Sequence, residues 1–216
     1  MDQYELIAPC HFGMEAVLKR EIQDLGYEIS QVDNGKVCFY ADELGIARAN
    51  LFLRTTERVM IKIDSFRAQT YDDLFEGVKA IPWERYIPED GKFWVTKANS
   101  VSSKLFSPTD IQKIVKKAMV ERLKQTYHSS WFEETGESYP LRISILKDIV
   151  TIGLDTTGAS LHKRGYRKFT APAPVTETLA AAILLLSPWH PDRVLVDPFC
   201  GSGTIPIEAA MIALDM

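Results

Sequence analysis

The stretch that decides the fold is "VLVDPFCGSGTIPIEAA", from Val194 to Ala210. Its first three residues are a continuous apolar run, which predicts a short parallel strand buried on both faces. Asp197 would end that strand, a glycine turn would follow, and the apolar residues after Thr204 have helical spacing. In open α/β sheets, ligands bind just outside the carboxyl ends of the strands. The stretch therefore predicts a ligand-binding strand, turn and helix.

Two common nucleotide-binding patterns do not fit this turn. A GxGxxG dinucleotide site needs a third glycine where the chain has Pro206, and a phosphate-binding Walker A loop needs a lysine that Gly203-Thr204 lacks. Glycines still allow a ligand to approach the backbone closely, and a helix N-terminus offers free N–H groups to a small carboxylate. The alternative is a mere tight connection between strand and helix, and spacing alone leaves both readings open.

Residues 1–67 have the β-α-β-β-α-β order of a ferredoxin-like domain. Asn34-Gly35, between two short strand-like runs, predicts a β-hairpin. Gly26 predicts the end of the first helix. The second helix, within residues 42–54, has its apolar side chains on one face: Leu44, Ala47, Leu51 and Phe52.

Residues 68–165 are predicted to form a second domain, and residues 166–216 begin a third. In the second domain, Thr70 is expected to cap one helix, and Ser107-Pro108 to begin a longer one. Two alternating runs around Lys147-Asp148 predict another hairpin. The predicted fold class is α+β, with the opening stretch as the start of an α/β domain.

Composition restricts the partners. The net charge is −4, so any binding to nucleic acid has to come from a local basic patch. Three widely spaced cysteines favour a reducing, cytoplasmic setting, and no signal peptide or membrane-spanning run is recognisable. No Cys/His cluster has metal-site spacing, so neither a membrane nor a metal is expected as a partner. The four histidines look isolated from acids, and Cys200, without a paired histidine, is expected only to line the turn.

Three segments, taken in order, resemble one family. They are "LHKRGYRK" (residues 161–168), "APAPVTETLAAAIL" (residues 171–184) and "DPFCGSGTIPIEAA" (residues 197–210). They are similar to the THUMP-domain-containing S-adenosylmethionine-dependent methyltransferases, which are often labelled N6-adenine-specific DNA methylases and include guanine-N2 methyltransferases of large-subunit ribosomal RNA. The resemblance implies a ferredoxin-like domain, a THUMP domain, and the first βα unit of a truncated Rossmann-like methyltransferase domain. The first 160 residues match mainly by layout.

The resemblance implies S-adenosylmethionine as the cofactor. The glycine turn would surround the methionine part of the cofactor: Asp197, Pro198, Phe199, Cys200, Gly201, Ser202, Gly203 and Thr204. The helix-opening motif before the turn would lie near the other side of the cofactor: Pro174, Thr176, Glu177 and Thr178. The family usually has a basic residue where this chain has Thr176, so no charge role is expected there. Glu208 is expected to be structural.

The resemblance also implies that the THUMP domain binds structured RNA, with ribosomal RNA as the expected partner. The basic segment, residues 162–168, has four cations and no acid, and cations of this kind bind phosphates. Its predicted RNA contacts are Lys163, Arg164, Tyr166, Arg167 and Lys168. Alternatively the segment pairs with acidic neighbours, and both readings stay open. The cations within residues 113–124 are interpreted as a solvated helix face.

The catalytic residues are unknown. Related amino-methyltransferases use an Asn/Asp-Pro-Pro-aromatic motif, which does not occur here, so we expect it beyond residue 216. A single βα unit cannot bury both faces of a sheet, so the chain is expected to be the front of a longer protein and inactive alone. The predicted function is an S-adenosylmethionine-dependent methyltransferase acting on N2 of a guanine in 23S ribosomal RNA. The alternatives are an adenine-N6 DNA methyltransferase and an RNA-binding module without activity.

Overall fold

The computed structural model describes residues 3–129, 131–168 and 174–216. The chain divides into two compact units. The first unit combines residues 1–60 with residues 156–216, and the second contains residues 61–155. The two ends of the chain therefore belong to one unit.

The N-terminal part of the first unit is built on a three-stranded sheet. It runs through strand β1 (Tyr4–Pro9), helix α1 (Glu15–Asp24), strands β2 (Glu28–Asp33) and β3 (Lys36–Ala41), and helix α2 (Glu43–Phe52). Strand β3 lies between β1 and β2 and is antiparallel to both. The turn between β2 and β3 has Gly35 at φ +79°, so the predicted hairpin is confirmed.

Helix α2 buries a different face from the one that its apolar residues suggest. The buried residues of the helix are Gly45 and Ala49. A Cβ added at Gly45 would lie 2.5 Å from the Cβ of Ala41, so the helix approaches its neighbours through small residues. The four apolar residues that share one face in the sequence pattern are all exposed: Leu44, Ala47, Leu51 and Phe52.

Among its described residues, the second unit has four strands and two α-helices. In chain order it contains strand β4 (Met60–Arg67), helix α3 (Tyr71–Ala80), a 3₁₀ helix (Trp83–Arg85), strand β5 (Lys92–Val101), helix α4 (Pro108–Tyr127), strand β6 (Ser138–Leu146) and strand β7 (Ile149–Asp155). The strand order is β4-β7-β6-β5. Strand β6 is parallel to β5 and antiparallel to β7, and the helices pack on each other.

The core and the helix caps of the second unit follow the sequence closely. Trp83 is fully buried in the apolar cluster, and its indole N–H donates to the carbonyl of Val78 at 2.8 Å. The hydroxyl of Thr70 accepts from the amide of Asp73 at 3.1 Å, and the Asp73 carboxylate accepts from the amide of Thr70 at 3.0 Å. Ser107 caps α4, which begins at a proline. Both predicted caps are confirmed.

The C-terminal part of the first unit contains two helices, α5 (Glu177–Leu186) and α6 (Thr204–Ala213), which pack on each other. The strand predicted over Val194–Val196 is not formed. Val194 and Val196 are 90% and 80% exposed. A strand needs a hydrogen-bonded neighbour, and no strand among the described residues lies beside this segment. The prediction of a buried strand here is therefore wrong.

Removing the Thr70 hydroxyl tests whether this cap stabilises the N-terminus of helix α3. Thr70→Ala removes the hydroxyl acceptor, so we expect the free energy of unfolding of the second unit to fall by about 1 kcal/mol. Urea denaturation followed by tryptophan fluorescence reports on this unit, because Trp83, Trp94 and Trp131 lie in it. Thr109→Ala, at an exposed position within α4, is the control and should not lower stability. Equal losses in both variants would contradict the capping role.

Candidate functional site

The glycine turn, residues 197–204, leads directly into helix α6. Gly201 and Gly203 have φ values of +54° and +77°, which glycine adopts without a steric penalty. Gly203 is also the N-terminal cap residue of α6. Both glycines therefore hold backbone conformations that a Cβ would disfavour. Since the amides of Thr204 and Ile205 in the first helical turn have no intrahelical acceptor, the turn can offer donors to an anionic group.

The other side chains of the turn divide into an exposed and a buried set. The outer side chains are Pro198, Phe199 and Cys200, and Phe199 is 93% exposed. Asp197 is half-buried and accepts from the amide of Phe199 at 3.1 Å. Ser202 is half-buried and Thr204 is buried. The turn therefore presents its outer residues to a binding partner and is anchored at its helical end.

Arg167 joins the glycine turn to the start of helix α5. Its Nε donates to Oε1 of Glu177 at 2.9 Å, Nη1 to Oγ of Ser202 at 2.9 Å, and Nη2 to Oγ1 of Thr204 at 2.9 Å. Only 16% of the Arg167 side chain and 7% of the Glu177 side chain are exposed. One guanidinium thus contacts both the glycine turn and the start of α5. The resemblance places both of these segments at the cofactor.

Glu208 on helix α6 is fully buried and is contacted by two side chains of the basic segment. The hydroxyl of Tyr166 donates to it at 3.0 Å, and Nη2 of Arg164 lies 3.5 Å from its other oxygen. Burial raises the pKa of Tyr166, and the negative charge of Glu208 raises it further, so the phenol keeps the proton that it donates. Glu208 therefore has a structural role, as its position suggested.

The residues predicted to contact RNA fall into two groups. Lys163 and Lys168 are exposed. Arg164, Tyr166 and Arg167 are half-buried and bond to acidic neighbours, which is the alternative that the sequence left open. Contact between the basic segment and RNA stays a prediction, and the two exposed lysines are the side chains best placed for it.

The prediction that the histidines are isolated is wrong for His162. Its Nδ1 lies 2.9 Å from Oε2 of Glu57 and 2.9 Å from Oγ of Ser160. The other carboxylate oxygen of Glu57 accepts from the hydroxyl of Thr178 at 2.9 Å and lies 3.9 Å from Nε2 of His11. Serine and glutamate contact the same ring nitrogen, whereas a catalytic triad places them on opposite nitrogens. The cluster is therefore a structural hub.

The pKa of Glu57 shows that these contacts stabilise its charge. Burial by itself would raise the pKa, but the hydrogen bonds of His162, Thr178 and Ser160 outweigh burial and hold it below its usual value. Sequence analysis did not find Glu57. It stands 105 residues before His162 and 121 before Thr178, and no local pattern marks a contact over such a separation.

An open cavity of about 430 Å³ lies between the basic segment and the start of helix α5. Its described lining consists of His162, Lys163, Arg164, Gly165, Arg167, Pro174, Val175, Thr176 and Glu177. Thr176 Oγ1 and Arg164 Nε are buried in the described structure but have no hydrogen-bond partner there. Buried polar atoms are normally paired, so these two atoms are exceptions among the described residues.

The predicted cofactor residues thus have different surroundings. Pro174 and Thr176 line the cavity, Glu177 is paired with Arg167, and Thr178 is buried against Glu57. Residues 171–173, the beginning of the quoted motif, lie outside the described residues. Within the described ranges, no group of three potential metal ligands occurs, and no helix is long and apolar enough to cross a membrane.

Three sequence profiles match consecutive parts of the chain. An RlmL ferredoxin-like domain matches residues 5–60, a THUMP domain matches residues 68–155, and an RMKL-like methyltransferase domain matches residues 164–216. The chain therefore has ferredoxin-like and THUMP domains followed by a methyltransferase-type segment.

Similar proteins are longer than this chain. YpsC of Bacillus subtilis, provisionally named an RNA methyltransferase, is 55% identical over 98% of the chain and 55% of its own length. The ribosomal RNA large subunit methyltransferase K/L of a Marinomonas species is 33% identical over 99% of the chain and 30% of its own length. The tRNA (guanine(6)-N2)-methyltransferase of Methanocaldococcus jannaschii is 32% identical over 98% of the chain and 56% of its own length. The chain spans about half or less of each of these relatives.

Two solved structures have the same architecture. A Listeria monocytogenes protein described as a predicted N6-adenine-specific DNA methylase has a TM-score of 0.94 and 51% identity over 100% of this chain and 57% of its own. SMU.472, crystallised as a complex with SAH (S-adenosylhomocysteine), has a TM-score of 0.91 and 46% identity over 99% of this chain and 56% of its own.

The Glu57 hub predicts a pH dependence of stability. The folded-state pKa of Glu57 is lowered, so its contribution is complete above the unfolded-state pKa and is lost as the pH falls through the folded-state pKa. Glu57→Gln should lower the free energy of unfolding by roughly 1 kcal/mol at pH 7. The deficit relative to the wild type should shrink below about pH 4.

Denaturation curves of the two proteins at pH 7 and pH 3.5 measure this deficit. Glu28→Gln is the matched control, because Glu28 is exposed in β2, and it should leave stability unchanged at both pH values. A deficit for Glu57→Gln that is the same at both pH values would show that its charge contributes nothing.

Proposed function

The chain belongs to the THUMP-domain-containing, S-adenosylmethionine-dependent methyltransferases, and from this premise we propose that it serves methyl transfer to RNA. The observation that carries the proposal is the glycine turn at the N-terminus of α6, braced by Arg167 against the start of α5. The chain spans about half of the length of two of its relatives.

The described residues fit S-adenosylmethionine as the cofactor. The free amides at the start of α6 suit the carboxylate of its methionine part, because a helix N-terminus favours negative charge. The cavity of about 430 Å³ has the size of a small-molecule site, and Pro174 and Thr176 lie in its lining. SMU.472, which is 46% identical, was crystallised with SAH.

The cofactor, when bound, supplies an electrophilic methyl group, and the protein has to orient it towards an amine. The residues of this chain would bind and position the cofactor: the glycine turn on one side, and Pro174 and Thr176 on the other. Arg167, Glu177 and Thr178 would fix these two segments in place.

We propose N2 of a guanine in 23S ribosomal RNA as the target, reached in the cytoplasm. Two relatives support this choice, one named a large-subunit ribosomal RNA methyltransferase and the other a tRNA guanine-N2 methyltransferase. The THUMP domain would present the RNA, and Lys163 and Lys168 would contact its phosphates. An adenine-N6 DNA methyltransferase is the second candidate, since the similar Listeria protein bears that description.

Deletion of the gene distinguishes these targets. Mass spectrometry of nucleosides from ribosomal RNA should show the loss of one N2-methylguanosine, which returns when the gene is restored. Loss of N6-methyladenine from DNA, with unchanged RNA nucleosides, would favour the DNA enzyme. No change in either nucleic acid would contradict the proposal for both substrates.

Gly203→Ala tests the role of the turn in cofactor binding. Alanine resists φ +77°, so the turn would distort and the affinity for SAH should fall by about tenfold, or roughly 1.4 kcal/mol. Gly26→Ala is the control, because Gly26 has φ +89° and an added Cβ there meets no atom within 4 Å. Isothermal titration calorimetry with the protein at full length measures both. Equal affinities in the two variants would contradict the assignment of the turn.

A further inference from the structure

We propose that Arg167 is a positioning residue for the cofactor site and not a contact to RNA. It would hold the glycine turn and the start of α5 in the arrangement that receives the methionine part of S-adenosylmethionine. The inference rests on the proposed function, because it assumes that the glycine turn binds this cofactor.

The first argument is geometric. The guanidinium donates to Glu177, Ser202 and Thr204, all at 2.9 Å, and each bond leaves from a different nitrogen. Arginine presents its N–H groups in a rigid plane. The two segments therefore cannot move apart without breaking at least one of these bonds.

The second argument concerns accessibility and charge. With only 16% of its side chain exposed, Arg167 has little surface to offer a phosphate, whereas Lys163 and Lys168 are exposed in the same segment. A cation beside a helix N-terminus is disfavoured by the helix dipole, and the buried carboxylate of Glu177 offsets this cost. The pair is suited to holding a structure together rather than to binding RNA.

The third argument is that the turn has few other restraints. Its glycines add no side chain to hold it, and Phe199 is 93% exposed. Without Arg167, the hydroxyls of Ser202 and Thr204 would retain, among the described residues, only their contact with each other, at 3.3 Å. A turn that is ordered before the ligand arrives avoids the entropic cost of ordering it on binding. Arg167 would supply that order.

The test compares Arg167→Ala, Arg167→Lys and Arg193→Ala in the protein at full length. Arg193 is the matched control, since it is exposed and its guanidinium donates to the carbonyl of Pro188. By calorimetry, Arg167→Ala should bind SAH about tenfold more weakly, and Arg193→Ala like the wild type. Arg167→Lys should stay weak, because an ammonium group keeps the charge but cannot reproduce the planar fork.

Steady-state kinetics supply a readout that general destabilisation would not give. For Arg167→Lys, KM for S-adenosylmethionine should rise by about tenfold, while kcat at saturating cofactor and the affinity for RNA should change by less than about twofold. Should Arg167→Ala fail to fold, the lysine variant decides the question.

Three results would overturn the inference. Wild-type affinity for SAH in Arg167→Lys would show that the charge alone suffices. Weakened RNA affinity with unchanged SAH affinity would make Arg167 an RNA contact. Absence of SAH binding by the wild-type protein would instead overturn the proposed function itself, so the two failures are distinguishable.

Discussion

The buried ion pair between Arg167 and Glu177 is the contact on which the geometry of the candidate site depends. The pair fixes Arg167 to the N-terminus of α5, and the same guanidinium donates to Ser202 and Thr204 at the N-terminus of α6. Removal of either partner would leave an unpaired charge where almost no water reaches, which is costly. A short turn with two glycines is flexible by itself. The bonds of Arg167 hold this turn in a fixed position.

The ferredoxin-like domain contributes to the same site through Glu57. Its carboxylate accepts from Thr178, which neighbours Glu177 on α5, and bonds to Ser160 and His162, which precede the basic segment's arginines. Residues of the candidate site near the C-terminus of the chain are therefore braced from its N-terminal part. This is consistent with the grouping of residues 1–60 and 156–216 in one compact unit.

Local patterns predicted those features whose cause is local. Thr70 and Ser107 cap their helices, and Gly35 takes a positive φ in the predicted hairpin, because each of these conformations depends on a few adjacent residues. The contacts of Glu57 and the inward face of α2 depend on residues distant in sequence, and hydrophobic periodicity does not encode them. Val194–Val196 has strand-like residues but no adjacent strand among the described residues, so its pattern alone does not produce a strand.

Hydrogen–deuterium exchange of the protein at full length, with and without SAH, tests the central claim most directly. The claim is that one cofactor site is formed by the glycine turn and by residues 174–178, which lead into the first turn of α5. The account predicts slower amide exchange on SAH binding in residues 197–204 and 174–178, with no change in residues 61–155. Unchanged exchange in residues 197–204, or protection confined to residues 61–155, would contradict it.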